Sequence, residues 1–133
     1  MATKTPKRAV IGKPQTKIDT RDKVRGLTKY ADDLTFPRML YAKILRSSVP
    51  HARIRSIDTS AAAALPGVKA VLTGKDLPLS YGMMPVSQDE NVLAVEKVRM
   101  VGDPVVAVAA ISEEIAEEAI QLIQVDYELL PAI

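Results

Sequence analysis

The chain has 133 residues, of which 47% are hydrophobic and 26% are charged, a composition typical of one small globular domain with a modest core. It contains no cysteine, which excludes disulfides, thiolate metal sites, iron–sulfur ligation and a cysteine nucleophile within this chain. The net charge of +2 is unevenly spread: residues 1–25 hold eight Lys or Arg against two acidic residues, whereas residues 26–133 hold ten against fourteen.

The basic segment at residues 1–25 shows no sustained helical or strand periodicity. It is predicted to form an extended arm ahead of a domain spanning 26–133. A basic arm can bind nucleic acid, but this one has no aromatic side chains for base stacking, so we expect it to lie along neighbouring domains or subunits. Its candidate interface residues are Lys4, Lys7, Arg8, Lys13, Lys17, Arg21, Lys23 and Arg25.

The first half of the domain is predicted to hold three strands and a short helix. In Met39 to Arg46, the apolar residues Leu40, Ala42 and Ile44 alternate with other side chains, which predicts a strand with that face buried. A second strand is predicted over 53–58. A short alanine helix, capped by Thr59 or Ser60 and stopped by Pro66-Gly67, then leads to a third strand over 68–72.

Residues 79–92 have the composition of a loop, in which Met83 and Met84 stand between Gly82 and Pro85. Methionine pairs commonly fill gaps under loops. They also suit an apolar contact surface, so both residues are kept as candidate interface residues.

The last third of the chain predicts a strand, a helix and a strand. The apolar run from Pro104 to Ile111 predicts a strand buried on both faces, and Ser112 is a suitable helix N-cap. Four residues then share one helical face: Ile115, Ala119, Leu122 and Ile123. Alternation over 125–129 predicts the last strand, which a parallel crossover through the helix joins to the strand at 104–111. The expected fold class is α+β, a mixed sheet with helices packed on it.

No catalytic, cofactor-binding or metal-binding residue stands out from the pattern. Gly102-Asp103-Pro104 precedes a strand instead of joining a strand to a helix, and Pro104 has no N–H, so a phosphate loop is not expected there. His51 is the only histidine, and a structural hydrogen bond is its expected role. The acidic pairs at 32–33 and 89–90 are predicted to be solvated, and the serines lack a nucleophile motif.

No apolar run approaches the roughly 18–20 residues of a membrane helix, and Met1 to Ile11 lacks the apolar core of a secretory signal. We therefore expect a cytoplasmic protein with no membrane partner and no nucleic-acid partner.

Six segments in order resemble the amino-terminal domain of the molybdenum-cofactor large subunit in the xanthine oxidase family. They are KVRGLTKYADDL, MLYAKILRS, HARIRSID, LPGVKAVLTGKDLP, KVRMVGDPVVAVAA and EEAIQLIQVDYELLP. The resemblance implies the α/β hammerhead fold. Within the family, YGMMPVSQDENVLAVEKVRMVGDP looks most like the alpha subunit of the 4-hydroxybenzoyl-CoA reductase branch.

The resemblance implies that this chain is part of a molybdenum hydroxylase, which is an oxidoreductase with molybdopterin, [2Fe-2S] clusters and often FAD. The family's cofactor loops and catalytic glutamate belong to later domains, so no such role is carried over to this chain. The chain alone is expected to bind no cofactor and to be inactive. It would serve as a scaffold and interface for the rest of the molybdenum subunit, an Fe–S subunit and a flavin subunit. The alternative is a small standalone binding module that uses its basic arm on an anionic partner.

Overall fold

The structure is a computed structural model that describes residues 11–84, 86 and 88–132. The chain divides into two compact units, Met1–Phe36 and Pro37–Ile133. The first unit contains a short helix, α1 (Thr20–Val24), and a 3₁₀ turn at Ala31–Asp33. The prediction of an extended arm is therefore wrong over the span of α1, where an ion pair of 2.5 Å joins Lys23 Nζ to Asp19 Oδ2 one helical turn away.

The described residues of the second unit form eight strands and two helices. Its longer strands are β1 (Tyr41–Arg46), β2 (Ala52–Asp58), β3 (Val68–Thr73), β7 (Pro104–Ala110) and β8 (Gln124–Leu129). Its two-residue strands are β4 (Ser80–Tyr81), β5 (Glu90–Asn91) and β6 (Lys97–Val98). The helices are α2 (Ser60–Ala64) and α3 (Glu113–Leu122). Every long strand and both helices lie where the sequence predicted them, while the expected loop at 79–92 contains the β4–β5 hairpin. Among the described residues, no helix is long and apolar enough to cross a membrane.

The described strands form three separate antiparallel sheets, with strand orders β1-β7-β3, β6-β2-β8 and β4-β5. The α+β class is confirmed, but the single mixed sheet is wrong. The parallel crossover is wrong as well, because α3 carries the chain from β7 in one sheet to β8 in another. Strand–helix–strand order fixes a parallel pair only when both strands join the same sheet.

The core of the second unit is aliphatic and formed by both long sheets with α2 and α3. Its buried members are Ala52, Ala62, Val98, Val105, Val106, Val108, Ala119 and Ile123. Helix α3 packs on the β1-β7-β3 sheet through small buried residues, Ala116 and Ala119. Leu122, predicted on the buried face, is 37% exposed. Small residues at this contact allow the helix axis to approach the sheet closely, which suits a core without large aromatic side chains.

The two faces of the β1-β7-β3 sheet differ from the prediction. On β1, the side chains less exposed to solvent are Tyr41, Lys43 and Leu45, and the predicted buried face holding Leu40, Ala42 and Ile44 is exposed. On β7, Val106, Val108 and Ala110 are buried, whereas Ala107 and Ala109 remain partly exposed. The strand is thus not buried on both faces along its whole length, although Val105 near its start is buried. Helix α3 covers one face of the sheet, and no other described element of the second unit fully covers the opposite face.

Candidate functional site

The turn from Arg99 to Pro104 contains the Gly102-Asp103-Pro104 sequence, at which no phosphate loop was expected. The Asp103 carboxylate accepts hydrogen bonds from the backbone N–H groups of Arg99 (2.6 Å) and Met100 (3.3 Å). The chain doubles back at Gly102, whose φ of 96° favours glycine. These bonds hold the turn that feeds Pro104 into the central strand β7.

Residues at the end of β1 hydrogen-bond to this turn and hold its position. The N–H of Gly102 donates to the Ser47 carbonyl, and the N–H of Ser47 donates to the Asp103 carbonyl, each at 2.8 Å. The Arg46 guanidinium also donates to the Gly102 carbonyl at 2.8 Å. Since the Gly102 N–H is already bonded, the turn does not present the converging free N–H groups that bind phosphate. Its role is structural, as the sequence predicted.

His51 makes the structural hydrogen bond that was predicted for it. Its Nδ1 lies 2.7 Å from the carbonyl oxygen of Pro131, and a carbonyl can only accept, so Nδ1 carries the proton. The N–H of Leu130 donates to the His51 carbonyl at 3.0 Å. The histidine therefore fastens the chain after β8 to the start of β2.

Ser47 is nearly fully buried, yet it is not placed as a nucleophile. Its hydroxyl donates to the Val49 carbonyl (2.8 Å) and accepts from the Val49 N–H (3.1 Å), which closes the tight turn after β1. Burial raises the pKa of the neighbouring Tyr127 hydroxyl, and a hydrogen bond with Ser47 partly offsets the rise. This pair is a polar element of the core that the sequence did not single out.

The candidate interface residues that the structure describes are all exposed. Met83 is 98% exposed and Met84 62%, so neither fills a gap under the loop in this chain. In the arm, the described cations are Lys13, Lys17, Arg21, Lys23 and Arg25, all exposed. Lys4, Lys7 and Arg8 lie outside the described residues. Exposure leaves each described candidate available for a contact.

Three surface depressions share Lys97 and Arg99. Of the two larger ones, the first, of about 340 Å³, is also lined by Glu90 and Asp103, and the second, of about 490 Å³, by His51. The first places carboxylates beside the cations, and its Asp103 is already bonded to backbone N–H groups. The titratable side chains of the second depression are all basic, but its His51 is already hydrogen-bonded to the Pro131 carbonyl.

The pattern of the family described as "Aldehyde oxidase and xanthine dehydrogenase, a/b hammerhead domain" matches residues 25–131. The chain belongs to this family. The match begins at residue 25, close to the predicted domain start at residue 26, although the compact unit of the structure begins at Pro37. The hammerhead fold expected from the six sequence segments is thereby confirmed.

Relatives of known name agree with this assignment. The chain is 50% identical over 122 residues to a probable xanthine dehydrogenase component of Bacillus subtilis, covering 91% of this chain and 16% of that protein. It is 44% identical over 124 residues to the nicotinate dehydrogenase large molybdopterin subunit of Eubacterium barkeri, covering 93% and 29%. The hammerhead chain therefore spans less than a third of the length of either relative.

Solved structures show the same fold inside larger proteins. A CO dehydrogenase from Oligotropha carboxidovorans matches with a TM-score of 0.83 at 43% identity, over 90% of this chain and 15% of that one. Quinoline 2-oxidoreductase from Pseudomonas putida matches with a TM-score of 0.83 at 41% identity, over 96% and 17%. These likenesses do not favour the alternative of a standalone module. The finer resemblance to 4-hydroxybenzoyl-CoA reductase finds no support among these relatives.

The described part of the hammerhead chain has no cluster of metal-ligating side chains. Over residues 11–84, 86 and 88–132, no three His, Cys, Asp or Glu side chains lie together as metal ligands. In the same residues, no buried side-chain N or O atom lacks a hydrogen-bond partner.

Proposed function

We propose that this hammerhead chain is the non-catalytic scaffold and interface part of a molybdenum hydroxylase large subunit of the xanthine dehydrogenase and aldehyde oxidase type. One observation carries the proposal: the chain matches its relatives over about nine-tenths of its own length but over only 16% of the Bacillus subtilis protein. Most of such a subunit lies outside the hammerhead domain. The chemistry is therefore assigned to that larger part.

The chemical inventory of the chain supports this division. The described residues hold no cluster of three metal-ligating side chains, and the Asp103 carboxylate is already hydrogen-bonded to backbone N–H groups of its own turn. In the proposal, molybdopterin is held by other domains of the large subunit, while [2Fe-2S] clusters and a flavin belong to partner subunits. The complete enzyme would work in the cytoplasm.

The basic arm supports an interface role. Alongside its cations, it carries apolar side chains open to solvent, among them Ile18 at 103% exposure and Val24 at 82%. A short segment with exposed aliphatic and cationic side chains suits a contact with an acidic, partly apolar surface of a neighbouring domain or subunit.

The test is to express the tagged chain in its source cell, capture it, and measure molybdenum and iron in the captured material. We expect both metals in amounts comparable to the chain. A variant in which the five described arm cations become Ser should retain less of both metals. Capture of the chain free of molybdenum would overturn the proposal, as would turnover of a molybdenum-hydroxylase substrate by the purified chain alone.

The proposed substrate is an aromatic CoA thioester, 4-hydroxybenzoyl-CoA, from which the enzyme would remove the ring hydroxyl reductively. It rests on the resemblance of residues 81–104 to that branch of the family. The captured complex should convert 4-hydroxybenzoyl-CoA to benzoyl-CoA when supplied with a reduced low-potential electron donor. Oxidation of xanthine or an aldehyde without this conversion would contradict the substrate and leave the scaffold role intact.

A further inference from the structure

The uncovered face of the β1-β7-β3 sheet forms a regular apolar surface, called the open face below. Its residues are Ala42 and Ile44 of β1, Ala107 and Ala109 of β7, and Ala70 and Leu72 of β3. They stand in two rows of paired positions, one linking Ala42, Ala109 and Ala70, the other Ile44, Ala107 and Leu72. Residues paired directly across antiparallel strands point to the same face, so the six side chains are neighbours.

None of the six side chains is polar, although solvent reaches them. Ile44 is 44% exposed and Leu72 38%, Ala42 and Ala70 are exposed, and the two central alanines are partly exposed. The solvated face of an antiparallel sheet normally carries polar residues in alternation with the buried ones. A continuous apolar group at that position is typical of a surface that is covered in the assembled protein.

Two of the burial predictions that the structure does not confirm fall on this face. The alternation in β1 predicted that Ala42 and Ile44 would be buried, and the apolar run of β7 predicted burial on both sides. Each pattern is correct for a sheet covered on both faces, and helix α3 supplies only one cover. Two independent patterns therefore indicate a second cover that the described residues of the second unit do not supply.

The size of the open face limits what can cover it. Three strands about 4.8 Å apart and two rows about 7 Å apart give a patch on the order of 200 Å². A stable interface between separate molecules buries about 800 Å² per partner, so this patch is too small to hold a second copy of the chain by itself. It suits a partner that is held to the chain by further contacts as well.

We infer that the open face packs against an aliphatic, uncharged surface in that part of a molybdenum hydroxylase large subunit which this chain does not span. The inference rests on the proposed function, and the share of the relatives' length left outside the match provides the occupant. Four alanines among the six residues allow a helix or strand of the partner to approach the sheet backbone closely. The contact is apolar and is separate from the charged contacts of the arm.

The first test introduces charge on the open face and measures molybdenum per captured chain in the source cell. The double variant with Ile44→Asp and Leu72→Asp should lose molybdenum at least about tenfold, because two carboxylates would be buried without partners. Ser56→Asp, at an exposed position of β2 in the other long sheet, is the matched control and should capture molybdenum like the unaltered chain. Equal capture by the double variant would overturn the inference.

The second test avoids any effect of charge on folding. Because the chain has no cysteine, a single Ala42→Cys substitution provides a unique thiol on the open face. Its maleimide reaction should be at least about tenfold slower in the captured complex than in the free chain, whereas Ser56→Cys should react at similar rates in both. Equal Ala42→Cys rates would overturn the inference, as would protection in a dimer of the chain that holds no molybdenum.

The two proposals fail in distinguishable ways. Absence of molybdenum from the unaltered captured chain would overturn the scaffold role and the open-face contact together. Molybdenum present equally with the unaltered chain and with the Ile44→Asp, Leu72→Asp double variant would overturn the contact alone.

Discussion

Two glycines with nearly equal backbone angles have different surroundings. Gly67 (φ 99°) and Gly102 (φ 96°) both occupy a conformation that L-residues rarely adopt. A Cβ on Gly67 would lie 2.7 Å from Ile115 Cδ1 and 3.2 Å from Ile111 Cγ1, whereas a Cβ on Gly102 would meet nothing within 4 Å. At Gly67 the missing side chain is also what allows the start of β3 to lie against α3.

Alanine substitutions at these two glycines separate the energetic cost of backbone strain from the cost of a packing clash. Gly102→Ala should lower the free energy of unfolding by about 1–2 kcal/mol through strain alone. Gly67→Ala should lower it by about 1 kcal/mol more, because two isoleucine side chains must move. Urea unfolding followed by circular dichroism measures both variants. Equal losses would show that the contact at Gly67 relaxes freely.

Acid should destabilise the second unit through hydrogen-bonded carboxylates, of which Asp76 is one. The N–H of Thr73, and then its hydroxyl, donate to the Asp76 carboxylate at 2.7 Å and lower its pKa. Because the folded pKa lies below the unfolded value of about 3.9, this stabilisation is present above that pH and is lost as pH falls through the folded pKa.

The measurement is the urea midpoint from neutral pH into this acid range. Asp76→Asn should flatten the acid decline relative to the unaltered chain, since the charge that titrates is gone. Asp126→Asn, which removes a charge from an exposed position of β8, serves as the comparison. An acid decline unchanged by Asp76→Asn would contradict the assignment.

At the scale of elements, α3 begins as the sequence predicted. The Ser112 hydroxyl accepts from the Ile115 N–H at 3.3 Å, and Glu113 and Glu114 lie in the first turn, where the helix dipole favours acidic groups. The Glu114 pKa is lowered, first by its own backbone N–H and then by the Ser112 hydroxyl. The residues that form this cap and first turn lie within a few positions of one another, so the local sequence is enough to predict them.

Removing the cap should weaken α3 and the sheet it covers. Ser112→Ala is expected to lower the free energy of unfolding by about 1 kcal/mol, while Ser112→Asp, which keeps an acceptor oxygen, should stay close to the unaltered chain. Urea unfolding at neutral pH compares the three proteins. A loss of the same size in Ser112→Asp would show that the hydroxyl matters for a reason other than capping.

The sequence predicted the positions of the strands and helices better than it predicted which sheet each strand joins. Every long strand was located because alternation and turn residues are local signals. The crossover from β7 to β8 was wrong, because no local signal states which sheet a strand joins. The buried face of β1 was predicted to hold Leu40, Ala42 and Ile44, whereas the chain partly buries Leu45 on the opposite face. The hydrophobic pattern indicates whether a residue suits burial, and it does not identify the element that covers it.

The roles of His51 and the Asp103 turn were predictable from the sequence, because residues beside glycine and proline in tight turns have few alternative conformations.

At the scale of the whole molecule, the core belongs to the second unit. All its buried members lie between Ala52 and Ile123, and the partly buried residues packed on them begin at Leu45. The described apolar side chains of the first unit, such as Ile18 and Phe36, are exposed. The unit Pro37–Ile133 thus contains its own complete hydrophobic core.

A truncated chain covering residues 37–133 should therefore fold alone. We expect a single cooperative urea transition with far-UV circular dichroism typical of mixed strand and helix. The unaltered chain is the control, and the steepness of the two transitions should be similar, since the buried surface is nearly the same. A broad, non-cooperative transition would show that residues 1–36 are needed to complete the fold.

The order of strands in the β1-β7-β3 sheet has a consequence for synthesis on the ribosome. Strands β1 and β3 do not pair with each other, and the strand that joins them, β7, comes late in the chain, as does β8, which completes the pairing of β2. Neither long sheet can close until residues 104–129 have left the exit tunnel. Until then the nascent chain carries unpaired apolar strands, which makes it a natural client for chaperones that bind such segments.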